Sequence, residues 1–300
     1  MPFTPVKPLW GYLPGGCGYD DEVPCDYQYH SAMLIEDEIN SGNWEWTPFI
    51  QFYELWKDIE GTRVDTASTD PDVQVDAYVD GSDVFVIINN LESTATTIDL
   101  NVAGLGGNSV NNVELRQMYY PNDDSVLLDR RHMSQSPSTV TLEADGTVVL
   151  RYSSSANIAI NHEVQEHKYL GESVSGGSEP HRISVNGGAV ELNINDVQVP
   201  SGAAEAMLRL TVALFPAEDD IENGNLTLDS LTINGTEVEP PIDWRGPKKN
   251  NASRYFATLE IPVPVSVLQS NNQILADFRH NGELTVSNLT VWDFSTQPQR

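Results

Sequence analysis

A chain of 300 residues is too long for one ordinary β-sandwich and suits two such units plus a remnant, at about 100 to 200 residues per domain. Its 44 acidic residues against 16 basic ones give a formal net charge of -28, a field that repels phosphate backbones and anionic lipid head groups. Nucleic acid and membrane surfaces are thereby excluded as partners, and the acidity reads as a solvated surface suited to salty surroundings, where screening relaxes self-repulsion. No apolar run approaches the roughly 18 residues of a membrane span. The opening MPFTPVKPLW lacks the basic and apolar regions of a signal peptide, so either an export signal was lost with an upstream region or the chain stays inside.

Residues 3–12 read as a short strand running into a loop. Cys17 and Cys25 share the Gly/Pro-rich stretch GGCGYDDEVPC, where they either close a small disulfide ring or remain free thiols. No third or fourth ligand stands at a zinc-like spacing, so no metal site is assigned. Residues 27–39 are expected to form a helix with apolar positions at Ala32, Met33, Leu34 and Ile39. Pro48 opens a second helical segment in which Phe49, Phe52, Tyr53 and Trp56 recur at helical spacing, with Gly61 as its terminator.

The period then changes. Val73, Val75, Ala77 and Val79 alternate as a strand does, and residues 84–88 are a buried apolar run. Asp80-Gly81 is a hairpin signal, and Asp145-Gly146 is expected to separate strands at 140–142 and 148–152 in the same way. Residues 157–160 read as a last strand of this unit. GESVSGGSEP cannot bury a core and marks a linker. Further strands are expected at 189–194, 206–215, 225–233, 255–261, 273–278 and 284–292.

The words FYELWKDIEGTRVDT, DPDVQVDAYVDG and VFVIINNLE, with the preceding YHSAMLIEDEINSG, resemble the junction that follows the catalytic barrel in β-agarases and β-porphyranases of glycoside hydrolase family eighty-six. In that family a TIM barrel is followed by two β-sandwich domains. The resemblance implies a mainly β chain: residues 1–61 as the last βα unit of the barrel, 62–170 as an immunoglobulin-like antiparallel sandwich, 171–177 as linker, and 178–296 as a jelly-roll sandwich that could bind carbohydrate. The ending IPVPVSVLQSNNQILADFRHNGELTVSNLTVWDF looks like the closing strands of a galactose-binding-type jelly roll.

A retaining glycoside hydrolase needs two carboxyl groups about 5 to 5.5 Å apart, projected from the rim of a rigid scaffold. In the resembled family that pair comes from barrel strands earlier than the last, and neither has a counterpart in this chain. No residue is therefore assigned to catalysis. Glu36, Asp37 and Glu38 read as one solvated helix face, and Glu54 sits mid-helix without an evident partner carboxylate. The substrate-binding candidates are aromatic. Trp10 and Tyr12 either stack on a galactose ring at the final barrel loop or pack beneath it. Trp44, Trp46 and Trp56 read as packing residues. Trp244 lies beside Arg245, Lys248 and Lys249 in a loop that either contacts an acidic galactan or is a chance cluster.

Asp70, Asp72, Asp76, Asp80 and Asp83 do not have the EF-hand spacing and, on a strand, face solvent in alternation. No cofactor is implied, although a structural calcium held by loops of the second sandwich stays open. Two functional classes follow. One is the C-terminal portion of a red-algal galactan hydrolase, secreted in its parent enzyme, inactive alone, and partnered by agarose or porphyran and by a missing N-terminal barrel region. The other is a non-catalytic carbohydrate-binding or structural protein of two sandwiches.

Overall fold

A strand with no polar face must be covered on both sides, and residues 84–88 impose that demand on the first half of the chain. The computed structural model describes residues 34–36, 44–46, 50–103, 110–122, 125–160, 164–171, 183–214, 228–240 and 255–295. It opens with a two-stranded antiparallel pair, β1 (Leu34–Glu36) and β2 (Trp44–Trp46), followed by the helix α1 (Ile50–Trp56). The strands β3 (Thr62–Val64), β4 (Val73–Asp80), β5 (Asp83–Asn90), β6 (Thr96–Asp99), β7 (Val110–Asn122), β8 (Ser125–Met133), β9 (Thr139–Leu142) and β10 (Thr147–Ser154) come next. They form a six-stranded antiparallel sheet, β3-β4-β5-β10-β7-β8, and a separate β6-β9 pair. The apolar run lies in β5, next to the equally buried Val148, Val149 and Leu150 of β10.

Period two separates the two faces of this sheet. Val84, Val86 and Ile88 join Val148, Leu150 and Val113, with Val140 and Leu142 of β9, in one core. Ile87 and Val149 point the other way and receive Leu55 of α1, with Trp56, Ile59, Tyr78, Met118 and Leu128 around them. Full burial of Leu55 stabilises this contact by about 1.5 to 3 kcal/mol.

The second half comprises β11 (Gln165–Leu170), β12 (Ile183–Ile194), β13 (Ala203–Leu214), β14 (Leu228–Ile233), β15 (Thr236–Glu237), β16 (Tyr255–Pro262) and β17 (Asn272–Asp293). β17 organises all of it. Its first part pairs with β12 and β14, its last part with β11 and β13, and β16 extends beyond β13. Leu192, Leu231 and Ile274 from the first group share a core with Leu208, Leu259 and Leu289 from the second, so two layers packed face to face are laced by one strand.

The mainly β antiparallel class expected from the sequence is what the structure shows. Several local expectations are corrected. Residues 34–36, placed in a helix by their apolar spacing, pair in register with 44–46 as a strand. Asp145-Gly146 does not make a hairpin, because β9 pairs with β6 while β10 runs between β5 and β7. Residues 157–160 form no strand and are tied to Gly81 by the amide of Ile158. The strands expected at 273–278 and 284–292 are one strand, since the intervening residues keep partners on β12 and β13. Residues 165–170, expected in the first sandwich, pair with β17 of the second sheet. By contrast, the Asp80-Gly81 hairpin is present, with Asp80 opposite Asp83 and Gly81 at φ 59°.

Helix α1 ends at Trp56, and the left-handed residue after it is Asp58, φ 66°. Gly61 does not terminate the helix. At φ 108° it immediately precedes β3, where a Cβ would collide with the Val79 carbonyl. The last carbonyls of a helix lack partners, and here the buried Arg116 of β7 supplies donors. Its Nη1 reaches the carbonyl oxygens of Lys57 at 2.8 Å and Leu55 at 3.3 Å, while its Nε donates to Glu114 at 3.1 Å.

Arg116→Ala would leave those carbonyls and Glu114 without their buried partner. It should lower the unfolding free energy by about 3 kcal/mol, read from urea denaturation, and an unchanged midpoint would refute the clamp. Burial pushes the Glu114 carboxyl up, but the hydrogen bonds and charge of Arg116 outweigh it and hold the group below its ordinary value. A carboxyl lowered by folding adds stability above its unfolded value, and loses that stability as pH falls through the folded one. Glu114→Gln should thus be less stable than the parent at pH 7, with the gap closing as pH drops below about 4.

Candidate functional site

With Val73, Ala77 and Val79 turned into the core, Gln74, Asp76 and Tyr78 occupy the opposite face of β4, and Arg63 of β3 stands across from Tyr78. On the second sheet Glu205, Met207 and Arg209 of β13 alternate with the buried Ala206, Leu208 and Leu210, and Glu205 is opposite Trp292 of β17. These two polar faces meet and enclose a cleft of about 1150 Å³, lined from both halves.

Arg63 joins the walls. Its Nη2 lies 2.6 Å from Asp76 on its own sheet and 2.5 Å from Glu205 on the other. Its guanidinium carbon sits 4.5 Å from the ring centre of Trp292 and 5.6 Å from that of Phe294. The second Glu205 oxygen accepts from the backbone amide of Thr66 at 2.6 Å, and Gln74 Nε2 donates to the Glu260 carbonyl at 3.0 Å. Burial opposes charge on Arg63, but the adjoining carboxylates outweigh it and raise its pKa above the ordinary value. Burial also pushes the Glu205 carboxyl up, against the pull of Arg63 and the Thr66 amide.

A second pair lies beside the first. Arg209 Nε donates to Glu260 at 2.6 Å and its Nη1 to Thr290 at 2.9 Å, with the guanidinium 5.7 Å from the Trp292 ring centre. On β11, Lys168 pairs with Glu166 at 3.0 Å. Each of these carboxylates is matched to a cation, which is the arrangement of a clasp rather than of an acid/nucleophile pair.

Away from the clasp, Asp70, Asp72 and Glu92 each bring an oxygen within 4.8 Å of the others, a spacing suited to one divalent cation. Asp72 is buried, contrary to the expectation that the aspartates of this stretch face solvent. The reason is its place at the foot of β4, where the Leu91 amide donates to its carbonyl and its own amide to Asp70.

Trp10, Tyr12 and Trp244, the sequence candidates for sugar contact, lie outside the described residues, as do Cys17 and Cys25. Trp56 packs beside Leu55, as expected. Glu54 pairs with Lys57 and Arg130, whose hydrogen bonds lower its pKa. Trp292, Arg63 and Arg209 escaped sequence reasoning. The alternation of Glu205, Arg209, Glu260 and Trp292 with apolar neighbours was the one available signal.

Two antiparallel β units are thus tied by polar groups across a shared cleft, and no described helix is long and apolar enough to cross a membrane. Residues 72–175 match the family model described as porphyranase β-sandwich domain 1, and residues 191–292 the model described as β-porphyranase A C-terminal. The chain belongs to glycoside hydrolase family 86 and corresponds to the C-terminal part of its members. It is 60% identical to a β-agarase of Microbulbifer thermotolerans over all of this chain and 26% of that protein.

Among solved structures, a family 86 enzyme in complex with neoagarooctaose is 30% identical, with a TM-score of 0.63 over 88% of this chain and 41% of that one. A β-porphyranase from the gut bacterium Bacteroides plebeius shares the fold, with 24% identity and a TM-score of 0.61 over 89% and 45% of the two chains. The chain spans a quarter to less than half of the length of these relatives.

Removing the cross-sheet guanidinium tests the clasp. Arg63→Ala should leave Glu205 buried without its cation and lower stability by about 3 kcal/mol. It should also split thermal unfolding into two transitions. A single, unshifted calorimetric transition would show that Arg63 does not couple the two β units.

Proposed function

We propose that this chain is the C-terminal portion of a secreted hydrolase of red-algal galactan, serving as a two-sandwich brace for a catalytic barrel supplied by the region preceding it. The observation that carries this reading is that both β units match, in order, the two porphyranase sandwich models. The sandwiches are assigned to residues 62–170 and 178–296. The pairing of β11 with β17 favours moving the first boundary back to before Gln165.

Catalysis is assigned to the barrel. The carboxylates of the cleft are held by Arg63, Arg209 and Lys168, and a group clasped by a cation is a poor general acid. Galactan is proposed as the polymer because relatives are a β-agarase, a β-porphyranase and an enzyme crystallised with neoagarooctaose. Within this reading Trp10 and Tyr12 serve as sugar contacts near the barrel and Trp244 as one in the second sandwich.

The purified chain should release no reducing ends from agarose or porphyran, whereas the same chain joined to its upstream barrel should release them. Turnover by the chain alone that disappears on mutating one of its own acidic residues would overturn this assignment.

A further inference from the structure

Charged groups that neutralise one another within a cleft are poor at drawing in an ion, yet they remain fixed donors and acceptors for hydroxyl groups. The cleft between the two sheets is built this way. Arg209 is held by Glu260 and Thr290, Lys168 by Glu166, and Arg63 by Asp76 and Glu205. Its volume of about 1150 Å³ exceeds the roughly 300 to 1,000 Å³ of small-molecule pockets, which suits a run of sugar rings better than a single one. Carboxylates outnumber cations in its lining, so a sulfated segment would meet repulsion.

We propose that this cleft binds a neutral galactan segment. This rests on the galactan reading given above. The Arg63 guanidinium lies over the Trp292 indole, so recognition falls to hydrogen bonds from the charged rim and not to ring stacking on that face. Lys168, with its side chain 61% exposed, and Arg209, 25% exposed, stand on the outer face of the second sheet and line the cleft. Asp76 and Gln74 line it from the first sheet. A ligand that touches both walls binds only the clasped arrangement, and therefore stabilises the chain as it fills the site.

The test is calorimetric titration of the 300-residue chain with neoagarooctaose and with a sulfated porphyran oligosaccharide. Neoagarooctaose should bind and raise the melting temperature, and the sulfated probe should bind about tenfold more weakly. Lys168→Ala or Arg209→Ala should weaken neoagarooctaose about tenfold, the loss of one charged hydrogen bond. Lys168 is exposed, so its variant keeps the test informative if Arg209→Ala folds poorly.

No binding, equal binding of both probes, or unchanged affinity in both variants would overturn the proposal. If the chain fails to bind while the chain joined to its barrel still cleaves agarose, the cleft is wrong and the galactan reading stands. If the joined enzyme fails to cleave any agarose or porphyran, the galactan reading itself falls.

Discussion

One guanidinium fixes the geometry on which the candidate site depends. Arg63 stands between two polar sheet faces, 13% exposed, and answers to a carboxylate on each. Taking a charge out of water costs several kcal/mol unless close partners and further hydrogen bonds offset it. Asp76, Glu205 and the π face of Trp292 do so together, and the Thr66 amide completes the shell of Glu205. Because the offset needs groups from both sheets, separating them leaves buried charge on each side. The clasp thus sets relative position far more sharply than apolar contact, which is non-directional and tolerates sliding.

The second constraint is the length of β17. A strand of 22 residues twists too far to stay in one flat layer. Its first part turns Ile274, Ala276 and Phe278 into the core from one layer, and its last part turns Leu289 and Val291 inward from the other. That leaves Thr290 and Trp292 on the outer face, beside Glu205 and Arg209. The clasp residues are the complement of the core. Any one-residue slip of β17 against β13 would bury Trp292 and expose Val291, so the hydrophobic register of the second unit also aims its half of the cleft.

Much of this was legible in the sequence, and the exceptions share a cause. Alternation at Val73, Val75, Ala77 and Val79 and the run at 84–88 located β4 and β5 because burial is written directly into residue type. Residues 34–36 misled because Met33, Leu34 and Ile35 carry no period that separates helix from strand over so short a stretch. Asp145-Gly146 specifies a turn but not the partner of the strands it joins, and that choice belongs to the sheets. Asn281 and Gly282, poor strand formers, fall between the strands expected at 273–278 and 284–292, yet pairing with β12 and β13 overrides propensity there. The clasp was invisible because Arg63 and Glu205 lie 142 residues apart. Period two marks both as outward-facing without saying that two outward faces meet.

The scarcity of cations gives the arrangement its logic. With 16 basic residues against 44 acidic ones, cations are too few to pair most carboxylates one to one, and several arginines stand at junctions between elements. Arg116 holds α1 to the first sheet, Arg130 ties β8 to the same helix, Arg63 spans the cleft, and Arg151 links β10 to β5 through Asp83. Burial pushes the Asp83 carboxyl up, and the hydrogen bonds from Arg151 and Ser153 outweigh it and lower its pKa. Dissolved salt screens solvated carboxylates from one another over roughly 8 Å at physiological strength, and acts far less on pairs withdrawn from water. Salt therefore relaxes the repulsion across the surface while the junctions keep most of their attraction. A strongly acidic chain can hold separate β units in one fixed relation in this way, because the charges that repel are on the outside and the charges that bind are between the parts.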